Sequence, residues 1–100
     1  MIDLKKIKII DVSTVLAGPS VGTFFAELGA QVKKVEHPIK TDVTRSWKSE
    51  TESPDTKTSA YFSSVNYKKD YLKLDLKNQL DYQEFIKQLK NTDILISNFK

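Results

Sequence analysis

The sequence predicts an α/β fold: a Rossmann-like parallel sheet with flanking helices, forming the N-terminal part of a larger domain. Three patterns carry this reading. Short β-branched or leucine-rich runs occur four times along the chain. Two segments with apolar residues at i, i+3, i+4, i+7 lie between them. A glycine or asparagine follows each of those segments where a helix would stop. Strands that alternate with helices pair in parallel, because a crossover helix returns the chain to start the next strand in the same direction.

Ile7 to Val12, with Ile9 and Ile10 between, predicts a buried first strand. The loop Ser13–Gly18 follows, and Pro19 suits the first position of a helix, where a missing N–H costs nothing. Val21, Phe24, Phe25 and Leu28 would form that helix's apolar face, and Gly29 its left-handed cap. Gln31 to Glu36 predicts the second strand. Pro38 to Asp55 is polar and turn-rich, a long loop carrying the isolated Trp47. A short helix over Thr58–Val65 would set Tyr61, Phe62 and Val65 on one face. Leu72, Leu74 and Leu76 alternate with Lys73 and Asp75, the pattern of a half-buried strand. Tyr82, Phe85, Ile86 and Leu89 predict a helix over about Gln79–Lys90, with Lys87 and Lys90 near its negative end and Asn91 as its cap. Ile94-Leu95-Ile96 reads as a central parallel strand.

Composition narrows the function classes. One hundred residues make one domain at most, and 39% apolar with 29% charged residues argues against wholesale disorder. No apolar run approaches a membrane span, and no signal-peptide core follows Met1. The absence of cysteine excludes thiolate chemistry, and a single histidine, His37, excludes a multi-histidine metal site. The net charge of +3 comes from fifteen lysines and one arginine interleaved with acids, which does not resemble the concentrated, arginine-bearing stripe of a nucleic-acid binder.

Three chemical sites can be weighed. Gly18, Gly22 and Glu36 stand near the positions of a dinucleotide fold, but G-x-G-x-x-G is missing and Pro19 removes a donor at the helix start. His37 would have to anchor any triad, and a loop histidine is its plainer role; Asp11 and Asp75, near strand ends, fit loop or helix caps. Lys69 and Lys77, flanking the third strand, together with His37 could hold an anionic ligand. Asn98-Phe99 offers an amide and an aromatic face suited to an adenine ring, or to packing.

The ordered set of local motifs resembles the opening of the family III CoA-transferases. It comprises Ile10-Asp11-Val12-Ser13, Val15-Leu16-Ala17-Gly18-Pro19, Glu27-Leu28-Gly29-Ala30 and Val32-Lys33-Lys34-Val35-Glu36. It continues through Asp42, Thr44-Arg45, Trp47, Tyr61-Phe62, Asn66, Lys69, Leu74-Asp75-Leu76-Lys77 and Asp93-Ile94-Leu95-Ile96 with Asn98-Phe99. The resemblance implies a Rossmann-like large domain, of which residues 1–100 are the N-terminal segment with no second domain, in a cytoplasmic, interlocked homodimer. It implies an enzyme that moves CoA between carboxylic acids through an aspartyl-CoA thioester. Its substrates would be an acyl-CoA and a carboxylic acid, with no permanently bound cofactor, no metal, no nucleic-acid partner and no membrane.

The nucleophilic aspartate of that family maps beyond residue 100, so no catalytic residue is assigned and the segment alone is expected to be inactive. CoA contacts carry over to Leu16, Ala17, His37, Leu74, Asp75, Leu76, Lys77, Asn98, Phe99 and Lys100. The stretch Leu74–Lys77 is open between strand and loop. Leu16 replaces a glutamine of the formyl-CoA branch, which argues against oxalate or formate as substrate. Asp70 and His37 stand where relatives carry arginine. Two alternatives stay open: an acyl-CoA racemase of the same family, and a non-catalytic CoA- or nucleotide-binding module.

Overall fold

The structure, a computed structural model, describes residues 2–99. Four strands form one parallel sheet: β1 (Lys8–Asp11), β2 (Gln31–Glu36), β3 (Asp70–Lys73) and β4 (Ile94–Ile96), in the order β3-β2-β1-β4. The helices are α1 (Ala17–Glu27), α2 (Ala60–Asn66) and α3 (Gln79–Leu89). Single 3-10 turns occupy Leu4–Lys6 and Val43–Ser46. No helix among the described residues is long and apolar enough to cross a membrane.

The predicted parallel α/β sheet is present, and the side-chain period of two divides its faces. Ile10, Val12 and Val35 meet Leu74 and Phe85 on the α3 side, with Leu72, Leu76, Ile86 and Leu89 packed around them. Ile9 and Val32 meet Ala26 and Ala30 on the α1 side. Leu72, Leu74 and Leu76 thus share a face as their alternation predicts, although strand pairing ends at Lys73 and Leu76-Lys77 turn toward α3. One further ladder bond, Leu74 N–H to Glu36 O at 2.9 Å, carries the chain past the strand end.

Three expectations need correction. First, α1 does not bury Val21, Phe24 and Leu28; Phe24 is 58% exposed. The buried face is Pro19, Gly22, Thr23 and Ala26, which has the same helical spacing but small side chains. Bulk marks the wrong stripe because α1 approaches the sheet closely: a Cβ on Gly18 would overlap the Ser13 side chain, and one on Gly22 would lie 3.1 Å from Asp11 Oδ2. The helix also begins two residues before Pro19, at Ala17. Second, β4 lies at the edge of the described sheet, paired only with β1, with Leu95 half-exposed. A continuous apolar run reports burial propensity but not the number of neighbouring strands. Third, α3 ends at Leu89, and the cap residue is Lys90 in right-handed backbone, so Asn91 is not a left-handed cap. Gly29 does take that role, with φ +103°.

The shorter elements follow local signals. Ser59 caps α2, its hydroxyl accepting Phe62 N–H at 2.9 Å, and α2 buries Phe62, Val65 and Asn66. Asn78 caps α3 by accepting Asp81 N–H at 3.1 Å. Within the long loop, Trp47 finds an edge-on partner in Tyr61, with ring centroids 5.2 Å apart.

Candidate functional site

In an open parallel sheet the loops that can face a ligand leave the carboxyl ends of the strands, where the order reverses. Here β1 is followed by Val12–Leu16, β2 by His37, β3 by Leu74–Lys77 and β4 by Ser97–Phe99. A cavity of about 400 Å³ opens among them. Its apolar wall is Val12, Val35, Leu74, Leu76 and Phe99, and its polar wall is Thr14, Glu36, His37, Lys40, Asp42, Asp75 and Lys77. Two larger cavities, of about 660 and 650 Å³, lie against the loop 38–58 instead.

The carboxylates around the cavity are mostly engaged by the protein. Glu36 receives Arg45 through Nε at 3.0 Å and Nη2 at 2.6 Å, and also accepts Asp42 N–H at 3.0 Å. Burial by itself would raise Glu36, but Arg45, the Asp42 N–H and Lys34 outweigh it and hold the carboxyl below its ordinary value. Asp42 is buried against Lys34 Nζ at 3.0 Å and accepts Thr44 N–H at 3.0 Å and Thr44 Oγ1 at 2.8 Å. Burial pushes its carboxyl up, and the Thr44 and Lys34 hydrogen bonds with the Lys34 charge bring it below the usual range. Asp75 Oδ1 accepts Lys77 N–H at 3.0 Å, and its other oxygen lies 3.5 Å from His37 Nε2.

His37 is fixed by its own turn. Nδ1 accepts the N–H groups of both Ile39 (3.0 Å) and Lys40 (2.9 Å), so that nitrogen is an acceptor and Nε2 faces Asp75. The Lys40 and Lys77 ammonium groups form no ion pair among the described residues. These two lysines are the cations on the cavity wall that remain open to an anionic ligand.

A second polar cluster lies under α1, on the sheet face opposite α3. Lys69 Nζ meets Asp11 Oδ2, Pro19 O and Asn66 Oδ1, each at 2.8 Å, and both charged side chains are fully buried. Burial lowers the Lys69 pKa, and Asp11 opposes that shift. Asp11 also accepts the Ser13 N–H at 2.8 Å and the Ser13 hydroxyl. Lys69 is therefore a strut between sheet and helices, at the amino end of β3, and the expectation that it holds an anionic ligand is corrected. The dinucleotide reading fails on the same grounds: Glu36 is committed to Arg45, and Gly18 and Gly22 serve the close approach of α1.

Of the residues singled out from sequence, His37, Leu74, Asp75, Leu76, Lys77 and Phe99 come together around the one cavity. Leu16 and Ala17 stand at the start of α1 and do not line it. Asn98 does not line it either; its amide accepts Thr14 N–H at 3.2 Å and donates to Thr14 O at 2.8 Å. Lys100 lies outside the described residues. Sequence reasoning missed Val12, Thr14, Val35, Lys40 and Asp42 as lining residues. The first three were findable because they lie at or beside the carboxyl ends of β1 and β2 or in the loop after β1; Lys40 shows only as a cation three residues after His37.

Comparison with known proteins places the fold in a family. The profile described as CoA-transferase family III matches residues 4–100. The chain is 37% identical over 97 residues to the succinyl-CoA–L-malate CoA-transferase alpha subunit of Chloroflexus aurantiacus, covering 97% of this chain and 22% of that protein. It is 34% identical over 100 residues to the succinate–glutarate CoA-transferase of Agrobacterium fabrum, covering 97% of this chain and 25% of that one. A crystal structure of a CaiB/BaiF family protein from Brucella suis superimposes with a TM-score of 0.84 at 32% identity, over 97% of this chain and 26% of that chain. The chain thus spans about a quarter of the length of these relatives. Matched by the family profile over nearly all its residues, and by sequence and backbone to individual members, the chain belongs to CoA-transferase family III.

Proposed function

We propose that this segment supplies part of the CoA site of an enzyme that moves CoA between carboxylic acids. One observation carries the reading: in a family III chain, the strand carboxyl ends enclose a cavity with an apolar wall and two lysines that have no ion-pair partner among the described residues. CoA joins an aromatic base and an amphipathic arm to several phosphates. The apolar side chains Leu74, Leu76 and Phe99 suit the first, and Lys40 and Lys77 suit the second as point charges.

The reaction proposed is the aspartyl-thioester route. An aspartate in a part of the protein beyond residue 100 attacks the donor thioester carbonyl, and CoA leaves as thiolate with a mixed anhydride formed. The thiolate attacks the aspartyl carbonyl of the anhydride, giving aspartyl-CoA thioester and the donor acid. The acceptor carboxylate attacks that thioester, again releasing CoA thiolate. The thiolate then takes the acceptor acyl group and frees the aspartate. Splitting one acyl transfer into such steps is covalent catalysis. The residues of this segment bind and orient CoA; they do none of the bond-making. The proposed assembly is a homodimer in the cytoplasm.

Calorimetric titration of the intact protein with CoA tests the binding role. Lys77→Ala should weaken CoA about three- to ten-fold, the net scale of one solvent-accessible hydrogen bond, and should matter less for pantetheine, which carries no phosphate. No detectable CoA binding by the unaltered protein, or a Lys77→Ala variant that binds as tightly, would overturn the reading.

A further inference from the structure

We propose that Asp42 is a positioning residue for the CoA cavity. It holds Val15 in left-handed backbone and so fixes the shape of the loop between β1 and α1. This rests on the CoA reading above and goes beyond it, because Asp42 is not among the ligand contacts implied by resemblance.

The starting point is strain. Val15 has φ +74°, a region that β-branched residues avoid because Cβ crowds the backbone. Such a conformation persists only where the surroundings over-determine it. Val15 N–H donates into the Asp42 carboxylate, 3.2 Å from Oδ2 and 3.4 Å from Oδ1. That carboxylate cannot turn away, since Lys34 and Thr44 hold it and its side chain is fully buried. The neighbouring residues are gripped as well. Lys34 Nζ donates to Ser13 O at 2.9 Å, and the Asn98 amide pairs with both backbone groups of Thr14. Three consecutive loop residues are therefore tied to groups from three distant parts of the chain.

The loop so held borders the cavity: Thr14 and Asp42 both line it. A loop fixed before the ligand arrives need not be ordered during binding, and that saving appears as affinity. Without Asp42, Val15 would relax to ordinary backbone and carry Thr14 with it. Glycine at position 15 would not need the tether, because glycine populates positive φ freely.

The test is a pair of variants and their combination, titrated with CoA. Asp42→Asn should weaken binding about ten-fold or more, Val15→Gly should stay within about three-fold of the unaltered protein, and the double variant should recover at least about half the loss on a logarithmic scale. A residue that merely stabilised the fold would show no such rescue. An Asp42→Asn protein that binds CoA normally, or a double variant no better than Asp42→Asn, overturns the proposal. Should Asp42→Asn not fold, Thr44→Val removes one hydroxyl that aims the Asp42 carboxylate, leaves the Lys34 pair intact and should cost about three-fold or more; unchanged affinity there overturns the proposal as well.

Hydrogen exchange at Val15 in the ligand-free protein separates the two ideas. Slow exchange that becomes at least about ten-fold faster in Asp42→Asn, or in Thr44→Val if that is the variant that folds, supports the tether. Fast exchange in the unaltered protein overturns it. Failure of the unaltered protein to bind CoA, with Val15 protected, counts against the CoA reading and leaves the tether standing.

Discussion

Gly18 and Gly22 are glycine for reasons of space. Gly22 lies over the Asp11–Lys69 pair, and at Gly18, beside Ser13 and Ile96, an added Cβ would overlap the Ser13 side chain that bonds Asp11. Gly18→Ala should therefore destabilise by about 1–3 kcal/mol in urea unfolding, the usual range for overpacking. At Gly22 the new contacts, 3.1–3.2 Å to Asp11 and Lys69, are looser, and the helix gains about 1 kcal/mol of propensity, so Gly22→Ala should fall near neutral. A Gly18→Ala variant as stable as the parent would contradict the packing described for α1. The buried ion pairs make a second prediction. Asp42 and Glu36 are held below their ordinary values of 3.8 and 4.5 in the folded chain. The unfolded chain takes up those protons first as pH falls, so their stabilisation is complete above about pH 5 and disappears as pH drops through the depressed folded values. Melting temperature should fall steeply below about pH 4, and Asp42→Asn should flatten that part of the curve. A profile of unchanged slope in Asp42→Asn would count against the depressed Asp42.

At the scale of elements, the sequence was most legible where spacing alone decides the outcome. β2 runs over Gln31–Glu36 as its pattern predicts, and the face Phe85, Ile86, Leu89 of α3 meets the core. It was least legible at α1, where two stripes share one helical period and the bulkier one faces outward. Hydrophobicity ranks Phe24 above Gly22; the buried pair Asp11–Lys69 beneath the helix, invisible to any local window, reverses that order. Replacing Phe24 with Ser should accordingly change the stability of the described unit by no more than about 0.5 kcal/mol, whereas Ala26→Leu should cost about 1–3 kcal/mol through overpacking. Chemical denaturation of the two variants checks this, and a large loss for Phe24→Ser alone would reverse the assignment of the buried face.

At the scale of the whole molecule, the cavity gathers residues from Val12 to Phe99, almost the full length of the chain. The carboxyl ends of β1, β2 and β4 were readable to within a residue from their own runs, which located the rim at His37 and Phe99; the end of β3 was not, because its leucine alternation runs on to Leu76, and Leu74–Lys77 was placed there only by the family resemblance. What could not be read was which side chains the protein spends on itself. Glu36, Lys69 and Asn98 looked available and are engaged by Arg45, Asp11 and Thr14, partners 9 to 84 residues away in sequence. Lys40 carried no motif and stands on the cavity wall. The most direct measurement is a CoA titration of the intact, isotope-labelled protein followed by amide chemical shifts. Shifts concentrated at His37, Lys40, Thr14 and Leu74–Lys77, with α1's outer face at Phe24 and Leu28 unmoved, are the predicted result. Saturable shifts confined to the loop 43–58, or none at any CoA concentration, would contradict a CoA site at the strand carboxyl ends.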